Sequence, residues 1–179
     1  SGYDQFIVSL PWSYDQDPDK KHPVLYLCDA NWDFQLVWAL YAKLLFDKVV
    51  PEYILVGLGY SCPMVEVDAL RRKDLCPRRM GSDYLQRIQQ KLIPFVEEEY
   101  PADPTERYLA GVSIGGLFAM ESLFSTPGLF QGVIALSMNP GEYERWIFDS
   151  EAIFYRERRD VVGNLLRKGP SLPARVFMA

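Results

Sequence analysis

The chain has 179 residues, 49% of them hydrophobic, with a net charge of −5 and a pI near 5.0. A length above roughly 150 residues permits one domain with a substantial core, so a single domain over 1–179 is expected. The acidic balance excludes a general nucleic-acid surface, which leans on an excess of Lys and Arg, and leaves small molecules as the expected partners.

No apolar run approaches the roughly 18 residues that span a bilayer as a helix. Residues 1–9 show no basic cluster followed by an apolar core, so the expected location is the cytoplasm, or the periplasm where a signal peptide has already been removed. Cys28, Cys62 and Cys76 are odd in number and irregular in spacing. They fit neither a disulfide framework nor a metal knuckle, and Cys28, inside an apolar run, reads as a small buried hydrophobe. Neither a cofactor nor a metal is expected.

In chain order, a strand is expected at 5–10, rich in β-branched and aromatic residues. The polar, turn-rich stretch 12–22 reads as a surface loop. A strand at 24–28 follows, then a helix carrying Phe34, Val37, Trp38, Tyr41, Leu44 and Leu45 at helical spacing. After a strand at 53–58, Leu85, Ile88, Leu92, Phe95 and Val96 mark another helix, capped by Ser82 or Asp83 and bent at Pro94. Its acidic end, Glu97, Glu98 and Glu99, reads as a solvated face. Strands at 107–110, 132–136 and 174–178 complete the pattern. The middle strands are almost continuously apolar, as parallel strands covered on both faces are. The fold class is therefore α/β, a mostly parallel central sheet with helices on both faces.

Between the strand at 107–110 and the apolar stretch after it stands Gly111-Val-Ser113-Ile-Gly115-Gly116, a G-x-S-x-G motif in a strand-turn-helix setting. This is the pattern of a nucleophile elbow. The turn is tight enough that side chains two positions either side of the serine would collide with their neighbours, which accounts for the glycines. Ser113 is the candidate nucleophile, and the Ile114 N–H, at a helix N-terminus, is a candidate oxyanion donor. A phosphate-cradling loop is the competing reading, but no Lys stands in the turn and neither nucleotide-binding glycine pattern is complete.

Six blocks carry a resemblance: Phe6-Ile-Val-Ser-Leu-Pro11, His22-Pro-Val-Leu-Tyr-Leu-Cys-Asp29, Ile54-Leu-Val-Gly-Leu-Gly-Tyr60, Arg71-Arg-Lys-Asp-Leu-Cys-Pro77, Leu92-Ile-Pro-Phe-Val96 and Ala110-Gly-Val-Ser-Ile-Gly-Gly-Leu-Phe118. In order and spacing they resemble the putative-esterase family of the α/β-hydrolase superfamily, the branch of esterase D-like enzymes and enterochelin-type siderophore esterases. The resemblance implies a serine nucleophile, here Ser113, an acid after a later strand and a histidine near the C-terminus. Arg71 matches an arginine of the siderophore-esterase branch and is a candidate helper at the oxyanion; an exposed salt bridge of Arg71 or Arg72 is an equally weighted reading. The loop after the strand ending near Asp29 commonly supplies the second oxyanion N–H in this fold, making Ala30 and Asn31 candidates. Ala30 stands where relatives more often carry Gly, and Val112 where many carry His. For Asn31 and Asp33, helix capping is the plainer role.

The one histidine, His22, begins a parallel strand, whereas active-site groups of such sheets gather at the carboxyl ends. It reads as a surface histidine rather than the base. The fold's chain order of Ser, acid, His leaves no histidine after Ser113. Glu142, Glu144, Asp149, Glu151 and Asp160 lie in a connecting region and receive no role. The acid and His of the triad are therefore expected beyond Ala179, with the C-terminal part of the domain missing and one sheet face short of its last covering helix.

The expected activity is hydrolysis of a small carboxylic ester through an acyl-enzyme at Ser113. Acyl transfer to an alcohol or sugar uses the same elbow, and a noncatalytic binding protein on a hydrolase scaffold is the alternative from another class. Trp32, Trp38, Tyr60, Tyr143 and Trp146 are candidate pocket aromatics, with core packing as the plainer reading.

Overall fold

The computed structural model describes residues 4–17, 19–76, 83–137 and 175–178. Six strands form one sheet: β1 (Asp4–Ser9), β2 (His22–Leu27), β3 (Ile54–Tyr60), β4 (Ala102–Val112), β5 (Gly132–Leu136) and β6 (Arg175–Met178). Their spatial order is β1-β3-β2-β4-β5-β6. β1 runs antiparallel to β3, and every other pairing is parallel. The mostly parallel sheet predicted from the continuous apolar runs is present, and all seven residues of β3 are buried.

Alternation along β2 divides the core in two. Val24, Tyr26 and Cys28 join the larger cluster, with Ile93 and Val96 of α4 (Ile93–Glu99) and Ile114 and Phe118 of α5 (Ile114–Ser125). Leu27 joins a smaller cluster with Ala30 and Phe34 of α1 (Ala30–Phe46). Helices thus lie on both faces. On the α1 face, Leu25, Tyr53, Tyr108 and Ile134 line an open apolar cleft of about 530 Å³ beside Val37 and Tyr41.

α1 approaches the sheet closely because β3 carries Gly57 and Gly59 on the facing side. A Cβ at Gly57 would stand 2.4 Å from the Phe34 ring, and one at Gly59 2.7 Å from Asn31 Oδ1. Side chains at either position would push α1 outward.

On the other face lie α2 (Met64–Leu75), α3 (Asp83–Arg87), a π-helical turn over Ile88–Leu92, and α4. The helix expected to bend at Pro94 does continue through it. The adjustment takes the form of a widened turn just ahead of the proline, with the Ile93 N–H donating to Ile88 O, which accommodates the ring and the missing donor. The expected Ser82 cap lies outside the described residues. Of the three acidic residues at the end of α4, Glu97 departs from a purely solvated role by accepting a 2.6 Å bond from Arg107 Nε. Cys28, Cys62 and Cys76 are free thiols; burial pushes the Cys28 thiol well above its ordinary range, as a small buried hydrophobe requires.

Candidate active site

Ser113 stands between β4 and α5 with φ 55° and ψ −117°, a conformation that L-residues rarely occupy and that costs about 1–3 kcal/mol. Its N–H donates to Leu136 O at the end of β5 (2.9 Å), and its carbonyl accepts from Leu117 N (3.0 Å). The elbow is thereby tied to the neighbouring strand and to its own helix. A Cβ at Gly111 would lie 2.3 Å from the Gly115 backbone, and one at Gly115 would lie 2.9 Å from Asp29 Oδ2 and 3.0 Å from Cys28 Cβ. The collisions expected from the motif are thus real, one with the helix start and one with the segment following β2. Ser113 is half-buried, while the Ile114 side chain is buried and anchors the first turn. The first N–H groups of α5, Ile114 included, have no intrahelical acceptor by helix geometry and point to the carboxyl edge of the sheet.

The other sequence-chosen residues converge on the same edge. Asp29 has φ 60° and ψ 37°, and its carbonyl accepts from Trp32 N and Asp33 N, each at 3.0 Å. Those bonds close the first turn of α1 and leave the Ala30 and Asn31 N–H groups ahead of the helical ladder. Asn31 does not cap α1. Its Nδ2 donates to Tyr60 O (2.9 Å) and its Oδ1 accepts from Tyr60 N (2.8 Å), so its amide pairs with the end of β3 as an extra strand residue would. Its side chain is anchored to β3 by this pair, which leaves its backbone N–H as the candidate oxyanion donor.

Arg71, on α2, is not in an exposed salt bridge. Its Nε and Nη2 donate to the two carboxylate oxygens of Asp29 (2.6 and 2.9 Å), and Asp29 is 3% exposed. Nη2 also reaches Val112 O (3.4 Å), the carbonyl directly before the serine. Burial pushes the Asp29 carboxyl up against the pull of Arg71. Burial works against the Arg71 charge too, but the Asp29 hydrogen bonds and charge hold the guanidinium above its ordinary value. Its neighbour Arg72 does form the exposed pair, with Asp68 one turn earlier on α2.

His22 is the clear correction: it is buried, 1% exposed, rather than on the surface. β2 begins at His22, two residues earlier than the apolar run suggested, and the His22 N–H donates to Pro101 O (2.8 Å). Its ring faces Glu52, with Nδ1 4.0 Å from Oε2. Burial and the Lys20 charge push the imidazole below its ordinary 6.5. His22 pairs with Ala102 at the start of β4, whereas Ser113 follows the last residue of that 11-residue strand. At about 3.3 Å per residue the two lie on the order of 30 Å apart, at opposite edges of the sheet.

Among the aromatic candidates, Tyr60 is core, buried and stacked on Tyr84 at 6.3 Å. Trp32 and Trp38 are 43% and 45% exposed; the Arg71 guanidinium lies 5.8 Å over the Trp32 ring, and Trp38 donates to Ser9 Oγ. Tyr143, Trp146 and the acids Glu142, Glu144, Asp149, Glu151 and Asp160 lie outside the described residues, as does Ala179. Among the described residues no group of three or more His, Cys, Asp or Glu is placed to hold a metal ion, and no helix is long and apolar enough to cross a membrane. Sequence reasoning missed Asp29 as the partner of Arg71, although Asp29 closed one of the family-like blocks.

A parallel sheet with one antiparallel edge strand, helices on both faces and a strained serine at a strand-to-helix turn defines an α/β-hydrolase fold. Residues 4–164 match the family model described as Putative esterase, and the chain belongs to that family. It is 28% identical over 144 residues to the uncharacterized protein YbbA of Bacillus subtilis, covering 76% of this chain and 57% of that protein. It is also 28% identical over 139 residues to the ferri-bacillibactin esterase BesA of Bacillus subtilis, covering 66% and 48%. The crystal structure of an IroE-like serine hydrolase from Shewanella oneidensis superposes with a TM-score of 0.71 at 25% identity, over 98% of this chain and 55% of that one. The chain thus spans about half the length of the curated relatives it matches.

Proposed function

We propose that the full-length protein is a serine esterase that cleaves a small carboxylic ester through an acyl-enzyme at Ser113. The observation that carries this reading is the strained conformation of Ser113 at the carboxyl edge, φ 55°, held by bonds to β5 and α5. Strain of this kind persists only where the surrounding structure over-determines it, and here it lifts a hydroxyl beside a helix N-terminus. In the proposed reaction the Ser113 hydroxyl attacks the ester carbonyl and its proton passes to a base. The Ile114 N–H and the Ala30 or Asn31 N–H hold the oxyanion, with Arg71 as a nearby positive charge. Collapse of that tetrahedral intermediate breaks the ester C–O bond, and the alcohol leaves with the proton held by the base. Water then hydrolyses the acyl-enzyme, releasing the acid and restoring the Ser113 hydroxyl.

His22 is on the wrong edge to be that base, so the reading assigns the base and its acid partner to chain following Ala179. The remoteness of His22 is also what favours the second reading, a noncatalytic binding protein on this scaffold. Ester hydrolysis by the full-length protein separates the two. Simple nitrophenyl esters and ferri-bacillibactin, the compound for which one relative is named, are the first substrates to assay. The esterase reading expects turnover that falls on the order of 1,000-fold or more in Ser113→Ala. Turnover that survives Ser113→Ala overturns Ser113 as the nucleophile, and no turnover in a folded wild type supports the noncatalytic alternative.

A further inference from the structure

Asp29 and Arg71 touch three segments at once. Asp29 directly precedes Ala30 and Asn31, the candidate donors at the start of α1. Its Oδ2 packs against the first turn of α5, 2.9 Å from where a Gly115 Cβ would stand. Arg71 comes from α2, grips both Asp29 oxygens and reaches Val112 O. A bidentate guanidinium–carboxylate pair fixes both distance and orientation. We propose that this pair is a positioning strut that holds the donor-bearing start of α1 and the Ser113 elbow in one fixed geometry, with Asp29 and Arg71 as positioning residues.

This inference rests on Ser113 being the nucleophile and goes beyond it by giving the buried pair a task. Stability alone is a poor reason for such a pair, because desolvating two charges offsets most of their attraction and apolar replacements of like volume are often as stable. The arrangement also divides the arginine's donors. Nε and Nη2 are committed to Asp29, so the principal work of Arg71 is done through Asp29 and the elbow.

An electrostatic asymmetry follows. Removing the guanidinium leaves a buried carboxylate beside the first turn of α5, where an oxyanion would have to form, and its charge opposes that oxyanion. Removing the carboxylate charge leaves a cation, which does not. Breaking the pair from the Arg71 side is therefore the more damaging change, and removing both charges restores part of the loss.

The test is the rate at which a fluorophosphonate probe modifies Ser113 in the full-length protein, together with kcat and KM for p-nitrophenyl acetate. Arg71→Met is expected to slow labelling on the order of 100-fold and Asp29→Asn about 10-fold. The double variant Asp29→Asn with Arg71→Met is expected to label faster than Arg71→Met alone. The loss should appear in kcat, with KM nearly unchanged, because the strut acts on the oxyanion geometry rather than on ground-state binding. Arg71→Lys keeps the charge without the fork, which spares the buried carboxylate and protects folding, and is expected to fall between wild type and Arg71→Met. Arg72→Met, which breaks only the exposed pair with Asp68, should label like the wild type. A wild type that labels while Arg71→Met, Arg71→Lys and Asp29→Asn all keep its rate overturns the strut alone. A wild type that does not label overturns the nucleophile reading and the strut with it.

Discussion

The two edges of the parallel sheet are built on different terms. At the carboxyl edge, three non-glycine residues with positive φ each follow closely on a parallel strand: Asp29 after β2, Ser113 after β4 and Ser137 after β5. Close backbone approaches at Gly111 and Gly115 and a buried ion pair stand beside them. At the amino edge, Glu52 accepts bonds from Ser13 and from Lys20 (2.7 Å), and a buried His22 pairs through its backbone with Pro101 O. The one other positive-φ side chain among the described residues, Lys48, marks the end of α1. On the proposed reading the contrast separates residues held for chemistry from residues held for stability: strain falls where a hydroxyl and backbone donors would be aimed, and the histidine sits at the other edge.

The contrast is broken most severely by Gly111→Ala. The added Cβ meets the Gly115 backbone at 2.3 Å, which no rotamer change relieves, so elbow and helix must separate. A loss of about 3 kcal/mol in urea unfolding is expected, together with loss of any esterase turnover. Ser113→Gly acts in the opposite direction on stability. It relieves the positive-φ strain and should raise the unfolding free energy by about 1 kcal/mol while abolishing any hydrolysis that depends on the Ser113 hydroxyl. Smallest is the effect of His22→Gln, which should leave probe labelling at Ser113 within about 2-fold of wild type.

The same variant sharpens the contrast through pH. The folded imidazole lies below its ordinary 6.5, chiefly through burial and then through Lys20, with Glu52 and Asp17 pulling the other way. Below 6.5 the unfolded chain takes up a proton that the folded chain lacks. The contribution of His22 to stability is therefore full above that value and declines as the pH falls towards the folded value. Urea midpoints measured from about pH 8 to about pH 5 should fall on the acid side, and His22→Gln should flatten that slope.

What the sequence revealed follows the range of the interactions. The elbow is announced locally: G-x-S-x-G spacing encodes the turn in which Gly111 meets the Gly115 backbone, so Gly111, Ser113 and Gly115 were legible. The neighbours that Gly115 itself meets, Cys28 and Asp29, are distant in sequence. The parallel sheet was legible because strands covered on both faces read as unbroken apolar runs. The Asp29–Arg71 pair joins residues 42 apart, and no local pattern announces it. The pairing of Asn31 with Tyr60 likewise appears only once Gly59 lets α1 settle on β3. The strand start at His22 and its place at the amino edge were legible, but its burial was not, because the polar composition of the preceding loop argued for solvent.

The account turns on Ser113, and the most direct measurement is fluorophosphonate labelling of the full-length protein followed by mapping of the modified peptide. The account predicts one adduct, on Ser113, absent from Ser113→Ala and retained in His22→Gln. An adduct on another residue, or no adduct in a folded wild-type protein, would contradict it.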